Sequence, residues 1–347
     1  LQAVNDLPNF KSRYAAQQLR YKLHSQREGT SLMKWKKLGV IFSTTPEQRQ
    51  GDWMVSHACV PTALALPNGR IRVYFAPRDT QGRSWPTFIE VAGDDPRRLL
   101  YVHDRPVMKL GELGTFDDNG IMPGSLVETA DALYLYYVGW NASVSVPYRN
   151  AVGLALSRDG GLTFEKPLPG AVVDRNLREP YFTLSPCVLK EGDHWQMWYG
   201  SVTGFTQPVA GQGKPEPVYV IKYATSRDGL DWERPNLTCI QPLDPLECNA
   251  RPTVLREAGR LRMWFCFRGS ADFRDGVGSY RIGYAESADG VTWERQDARA
   301  GLTFSAEGWD AKMLAYPSVV RSAGHTYLFY NGNGFGLTGI GCAVAEE

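Results

Sequence analysis

The sequence predicts an all-β fold, a five-bladed β-propeller with four antiparallel strands per blade, on three observations. A proline-containing strand recurs five times. A Ser-x-Asp-Gly turn recurs three times at a similar offset behind it, and the last copy lacks a final strand that the N-terminal strand can supply.

The recurring strand reads Val60-Pro61-Thr62-Ala63-Leu64, Met122-Pro123-Gly124-Ser125-Leu126, Ser185-Pro186-Cys187-Val188-Leu189, Arg251-Pro252-Thr253-Val254-Leu255 and Tyr316-Pro317-Ser318-Val319-Val320, with prolines 62, 63, 66 and 65 residues apart. A turn and a second apolar run follow each copy: Ile71 to Phe75, Leu133 to Val138, Trp195 to Tyr199, Leu261 to Phe267 and Thr326 to Tyr330. The third run ends in Ser157-Arg158-Asp159-Gly160, Ser226-Arg227-Asp228-Gly229 or Ser287-Ala288-Asp289-Gly290, where Asp-Gly supplies the positive φ of a tight hairpin. One carboxylate per turn is too few for a calcium loop. A short fourth strand carries Phe164-Glu165-Lys166, Trp232-Glu233-Arg234 or Trp293-Glu294-Arg295. The fifth copy stops after its third strand, Ile340 to Ala345, and Trp35-Lys36-Lys37 has the pattern of the missing element, so the N-terminal strand is expected to close the ring. The blades then run roughly over 45–110, 111–173, 174–242, 243–304, and 305–347 with 33–44. Residues 1–32 differ in character and read as an extension or remnant outside a single propeller domain at 33–347.

Composition narrows the function. With 38 Lys and Arg against 37 Asp and Glu, the net charge of +1 offers no general field for nucleic acid or anionic lipid. No window approaches 18 consecutive apolar residues, which gives an expectation of a soluble, cytoplasmic protein with neither nucleic acid nor membrane as partner. Six scattered cysteines without CxxC spacing read as reduced thiols in or near the core. His57 and Cys59 lack a second ligand pair, so no metal is expected. The Gly332, Gly334 and Gly336 stretch precedes a strand and is no dinucleotide loop; no cofactor is implied.

In a propeller the innermost strands start at one mouth of a central channel, and whatever precedes each repeated proline is presented there. Those segments hold Asp52, Trp53, His57, Cys59, Asp117, Asp118, Asn119, Arg175, Arg178, Glu179, Tyr181, Glu247, Asn249, Arg251, Trp309, Asp310, Lys312 and Tyr316; second-strand ends add Arg78, Asp79, Trp140, Asn141, Arg268, Asn331 and Asn333. Carboxylates among aromatic platforms suit carbohydrate, with acids for proton transfer and Arg and Asn for hydroxyls. The cations suit a phosphate or a carboxylated sugar, or else they neutralise the acids. His57 reads as a substrate-positioning group, with general base as the alternative.

The order of proline-containing inner strands, Ser-x-Asp-Gly-x-x-Trp turns and a closing N-terminal strand resembles the five-bladed glycosidases: the arabinanase and xylosidase family 43, the invertase and levansucrase families 32 and 68, and the mannoside phosphorylase family 130. The resemblance covers nearly everything after Trp35. It implies a carboxylate before the first-blade proline, an Asp in the second blade and a Glu in the third. Here Cys59-Val60-Pro61 stands in place of Ala-Asp-Pro, and the invertase motifs Asn-Asp-Pro-Asn and Arg-Asp-Pro are absent. Arg178-Glu179-Pro180 puts a Glu in the third blade, where families 32 and 43 place an acid, and Glu247-Cys248 is similar to the invertase Glu-Cys pair, one blade later. The expectation is therefore Glu179 as proton donor, with Asp118 or Glu247 as partner carboxylate. Substrate contacts are expected from His57, Asp117, Arg178, Tyr181, Asn249, Arg251, Arg268, Trp309, Asp310, Lys312 and Tyr316. A glycosidase, a non-catalytic glycan- or partner-binding propeller, and a phosphorylase or transglycosylase with an anion seat are the three open readings.

Overall fold

Second strands that are apolar on both faces can be buried only between two other sheets, and that requirement stacks the blades side by side around a ring. The structure, a computed structural model, describes residues 33–206, 213–270, 272–274 and 276–346. The expectation for residues 1–32 lies outside these. Strand β1 (Lys34–Phe42) leads into the first blade, β2 (Ser56–Ala65), β3 (Arg70–Arg78), β4 (Thr87–Ala92) and β5 (Leu99–Val102). The second blade is β6 (Gly120–Glu128), β7 (Leu133–Ala142) and β8 (Tyr148–Ser157); the third is β9 (Thr183–Glu191), β10 (His194–Phe205) and β11 (Pro217–Ser226). The fourth is β12 (Cys248–Glu257), β13 (Arg260–Arg268), β14 (Arg281–Ser287) and β15 (Glu294–Arg295). In the fifth, β16 (Ala315–Ser322), β17 (His325–Asn331) and β18 (Ile340–Glu346) are completed by β1, which pairs antiparallel with β18. The ring closes as the N-terminal Trp35 element suggests.

Four full strands per blade hold for the first, fourth and fifth blades. In the second and third the outermost position is reduced to isolated bridges, Leu156 with Glu165 and Val152 with Val173, and Thr225 with Glu233 and Lys222 with Thr238. Pro167 and Pro169, and Pro235, follow the first bridge of each pair, and a proline cannot donate to a ladder.

The turns join neighbouring blades. The Tyr74 hydroxyl on the first blade donates to the Gly161 carbonyl at 2.9 Å, Tyr136 on the second to Gly229 at 2.8 Å, and Trp198 Nε1 on the third to Gly290 at 2.7 Å. Trp264, at the matching position of the fourth blade, has a buried Nε1 with no partner among the described residues. All six cysteines are buried and unbridged. Among the described residues no helix is long and apolar enough to cross a membrane.

Candidate functional site

The innermost strands β2, β6, β9, β12 and β16 surround the axis, each touching the next. In four of them the residue before the proline has left-handed backbone: Val60 (φ 57°), Ser185 (49°), Arg251 (54°) and Tyr316 (56°). Each coincides with a break in strand register. A bulge re-aims a side chain, and left-handed backbone is costly for any residue but glycine, most of all for a β-branched one such as Val60. The shared result is that Val60, Met122, Ser185 and Tyr316, with Ala250 beside Arg251, line one axial cavity of about 250 Å³.

Its wall is aromatic and rich in donors. Trp140, Tyr148, Tyr219, Tyr280 and Tyr316 supply ring faces, while Arg78, Ser84, Asn150 and Ser185 supply polar groups. Behind the wall the Arg268 Nε donates to the Tyr219 hydroxyl at 3.0 Å and the Tyr280 hydroxyl at 3.3 Å, and these two hydroxyls are hydrogen-bonded to each other. One phenolic proton of the pair is thus left to offer. Burial pushes the phenols of Tyr148, Tyr219, Tyr280 and Tyr316 upward, so all four stay protonated at neutral pH. Two polar atoms of the wall are buried with no partner, Arg78 Nε and Asn150 Oδ1.

One step further along the inner strands, the buried Arg251 guanidinium crosses the axis. It donates to the Pro61 carbonyl at 2.8 Å and the Thr62 hydroxyl at 2.7 Å on the first blade, and to the Gly124 carbonyl on the second. Burial lowers its pKa to about 10, which leaves it charged at neutral pH. Among the described residues, no carboxylate lies within ion-pair distance of Arg78, Arg251 or Arg268, and no carboxylate lines the axial cavity.

The carboxylates lie elsewhere, in a repeated arrangement of their own. Asp117 accepts from the Tyr137 hydroxyl at 2.9 Å and pairs with Lys166 at 2.5 Å. Glu179 accepts from Tyr199 at 2.8 Å and Ser201 at 2.6 Å, with Lys222 at 3.5 Å and Arg234 at 3.8 Å. Glu247 pairs with Arg295 at 2.6 Å, and Asp310 pairs with Lys37 at 2.6 Å while accepting from Tyr330 at 2.9 Å. Lys37, Lys166, Arg234 and Arg295 are each the third residue of the Trp- or Phe-led element that ends a blade. The acids therefore latch the segment before each innermost strand to the outermost edge of the same blade. In the first blade this place is apolar: Met54 and Phe75 are fully buried in one cluster. Gly153 makes room for the second-blade latch, since a Cβ there would lie 2.2 Å from the Tyr137 ring. Burial raises the Glu247 carboxyl, against the lowering effect of Arg295.

Of the residues expected at the mouth, Tyr316, Arg78 and Trp140 line the axial cavity, with Arg251 and Arg268 packed immediately behind it. Glu179 is 1% exposed within its latch. Asp118 accepts from the Gly114 N–H at 2.9 Å with its other oxygen buried and unpartnered. His57 is half-buried, its Nδ1 2.9 Å from the Ser56 hydroxyl, and burial and the Arg78 charge lower its pKa to about 4. Asn249 is wholly buried without a side-chain partner. Arg178 and Lys312 are exposed, Tyr181 packs edge-on against Phe205, and Trp309 packs on Tyr330. The wall residues missed by counting charges are Ser84, Tyr148, Asn150, Ser185, Tyr219 and Tyr280. Tyr148, Asn150 and Tyr219 sit at starts of third strands and Tyr280 just before one, a position whose repetition in the sequence was available as a signal.

A larger cleft of about 1010 Å³ lies between the first two blades, lined by Trp85, Lys109, Glu112, Glu165 and the latched Asp117 and Lys166. None of the residues directly before a repeated proline, Val60, Met122, Ser185, Arg251 and Tyr316, lines it.

The fold is a five-bladed propeller, the architecture of several solved glycoside hydrolases. A solved glycoside hydrolase superposes with a TM-score of 0.68 at 15% identity, covering 95% of this chain and 96% of that one. A thermostable family-43 glycoside hydrolase gives 0.54 at 14% identity over 85% and 90%, and the Bombyx mori GH32 β-fructofuranosidase BmSUC1 gives 0.55 at 14% over 97% and 67%. At these identities the likeness is one of fold. No family model matches the sequence. Two Mycobacterium tuberculosis sequences, the uncharacterized proteins Rv1502 and MT1551, are each 38% identical over 316 residues, 91% of this chain and 100% of the relative. The chain belongs to the family of Rv1502.

Proposed function

We propose that this propeller binds a single carbohydrate unit in its axial cavity, as a recognition module and not as a two-carboxylate hydrolase. The observation that carries the reading is the set of residues before the repeated prolines. Of the five directly before a proline, Val60, Met122, Ser185 and Tyr316 line an aromatic-walled cavity and Arg251 lies behind it, and none of the five is a carboxylate. Aromatic faces such as Trp140 and Tyr280 suit the C–H faces of a sugar ring, and Ser84, Asn150 and the phenols suit its hydroxyls. The volume matches a monosaccharide and falls below the ~300–1,000 Å³ usual for drug-sized ligands. Proton donation by Glu179 would require it to leave Tyr199, Ser201, Lys222 and Arg234, and a buried carboxylate that sheds its partners costs several kcal/mol, about 3–5.

The test is calorimetry and crystal soaking with a panel of hexoses, uronic acids and hexose phosphates, alongside a glycoside-hydrolysis assay. A sugar seated in the axial cavity, weakened at least about tenfold by Trp140→Ala and unaffected by Glu179→Gln, supports the reading. Turnover of a glycoside that Glu179→Gln abolishes overturns it in favour of catalysis, and a panel in which no sugar enters the cavity removes the carbohydrate assignment.

A further inference from the structure

The axial cavity is charged in one sense only. Arg78 is the one charged residue in its wall, Arg251 and Arg268 stand directly behind, and none of the three has a carboxylate within ion-pair distance among the described residues. Elsewhere the protein does the opposite: the buried carboxylates Asp117, Glu179, Glu247 and Asp310 each have a cation close by. Three guanidinium groups gathered at the axis without a carboxylate partner impose a positive potential that favours a bound anion.

The hydrogen-bonding inventory points the same way. Tyr219 and Tyr280 accept from Arg268 and so turn a proton outward, and the Arg78 Nε is buried and unused. Among the described residues the Arg78 side chain donates no hydrogen bond, and its Nε is buried. Two titratable groups that feel the Arg78 charge, His57 and Cys59, supply no negative charge: His57 is neutral at pH 7, and burial raises the Cys59 thiol to about 11. A planar guanidinium matches the two oxygens of a carboxylate or phosphate group.

We propose that the ligand of the axial cavity is a sugar carrying a carboxylate or phosphate substituent, and that Arg78 is the seat of that anionic group. The proposal rests on the carbohydrate reading above and adds the charge of the ligand to it. The two anionic groups share one chemistry at Arg78, and the probes below separate them.

The experiment compares affinities of wild type and Arg78→Gln for glucose, glucuronate, glucose 6-phosphate, galactose, galacturonate and inorganic phosphate, at low and high salt. The expected result is that at least one charged sugar binds about tenfold or more tighter than its neutral parent, the scale of one charge-assisted hydrogen bond. Arg78→Gln is expected to bring that ratio to about one, with the unfolding midpoint unchanged. Tight glucuronate or galacturonate with weak glucose 6-phosphate identifies carboxylate as the group, and the reverse pattern identifies phosphate. Equal affinity for charged and neutral sugars overturns the anion seat and leaves the carbohydrate reading standing. Binding of inorganic phosphate with no sugar of either kind overturns the carbohydrate reading and keeps the seat. No binding of any probe overturns both.

Discussion

Arg251, on the innermost strand of the fourth blade, donates a hydrogen bond of 2.8 Å across the propeller axis to the carbonyl of Pro61 on the first. The same guanidinium reaches Thr62 and Gly124, so one side chain ties three blades at the centre of the ring. Arg251→Met removes these donors and leaves the Pro61 and Gly124 carbonyls facing a channel. A loss of about 1–3 kcal/mol of stability is expected in urea denaturation, the cost of a buried acceptor left unsatisfied. Arg251→Lys is not expected to restore it, because one ammonium lacks the fork that reaches two blades at once.

The latches predict a reversible loss. Lys166→Met strips the cation from the buried Asp117, and a cost of about 3–5 kcal/mol is expected, as for a broken buried ion pair. Adding Asp117→Asn removes the stranded charge while the Tyr137 hydroxyl keeps an acceptor, so the double variant should regain much of the loss in the same denaturation experiment.

Two aromatic substitutions at matching positions should behave differently. Tyr74→Phe deletes the hydroxyl that donates to the Gly161 carbonyl and is expected to cost about 1–3 kcal/mol. Trp264 has a buried Nε1 without a partner among the described residues, so replacing its indole with the isosteric benzothiophene analogue, which lacks the N–H, is expected to leave the unfolding midpoint unchanged or to raise it.

His57 gives a pH dependence whose sign follows from its lowered pKa. The folded protein holds the imidazole neutral down to about pH 4, whereas the unfolded chain takes up the proton near 6.5. Between those values the unfolded state binds more protons, so stability falls as pH drops from about 6.5 to about 4 and loses nothing more from this group below that. His57→Gln should flatten that part of the profile, measured as the urea midpoint at half-unit pH steps.

The outcome for the expected carboxylates has a physical reason. Glu179, Glu247, Asp117 and Asp310 are all visible before the repeated prolines, and their cations Arg234, Arg295, Lys166 and Lys37 are all visible in the Trp- and Phe-led elements. The two halves are 48 residues apart for Glu247 with Arg295 and 273 apart for Asp310 with Lys37. Linear order does not state that strands one and four of a blade meet at that corner, so acids drawn into structural latches look the same as acids waiting for a substrate.

What the sequence by itself determined was the architecture: the spacing of Pro61, Pro123, Pro186, Pro252 and Pro317, the three Ser-x-Asp-Gly turns and the Trp35 element are local signals, and each reports the strand or turn that its own residues form. What only the tertiary structure decided was the polarity of the centre. Left-handed backbone at Val60, Ser185, Arg251 and Tyr316 turns particular side chains toward the axis and leaves the carboxylates to the blade edges. That choice depends on bulges and on contacts between blades, which are properties of the closed ring and have no counterpart along the chain.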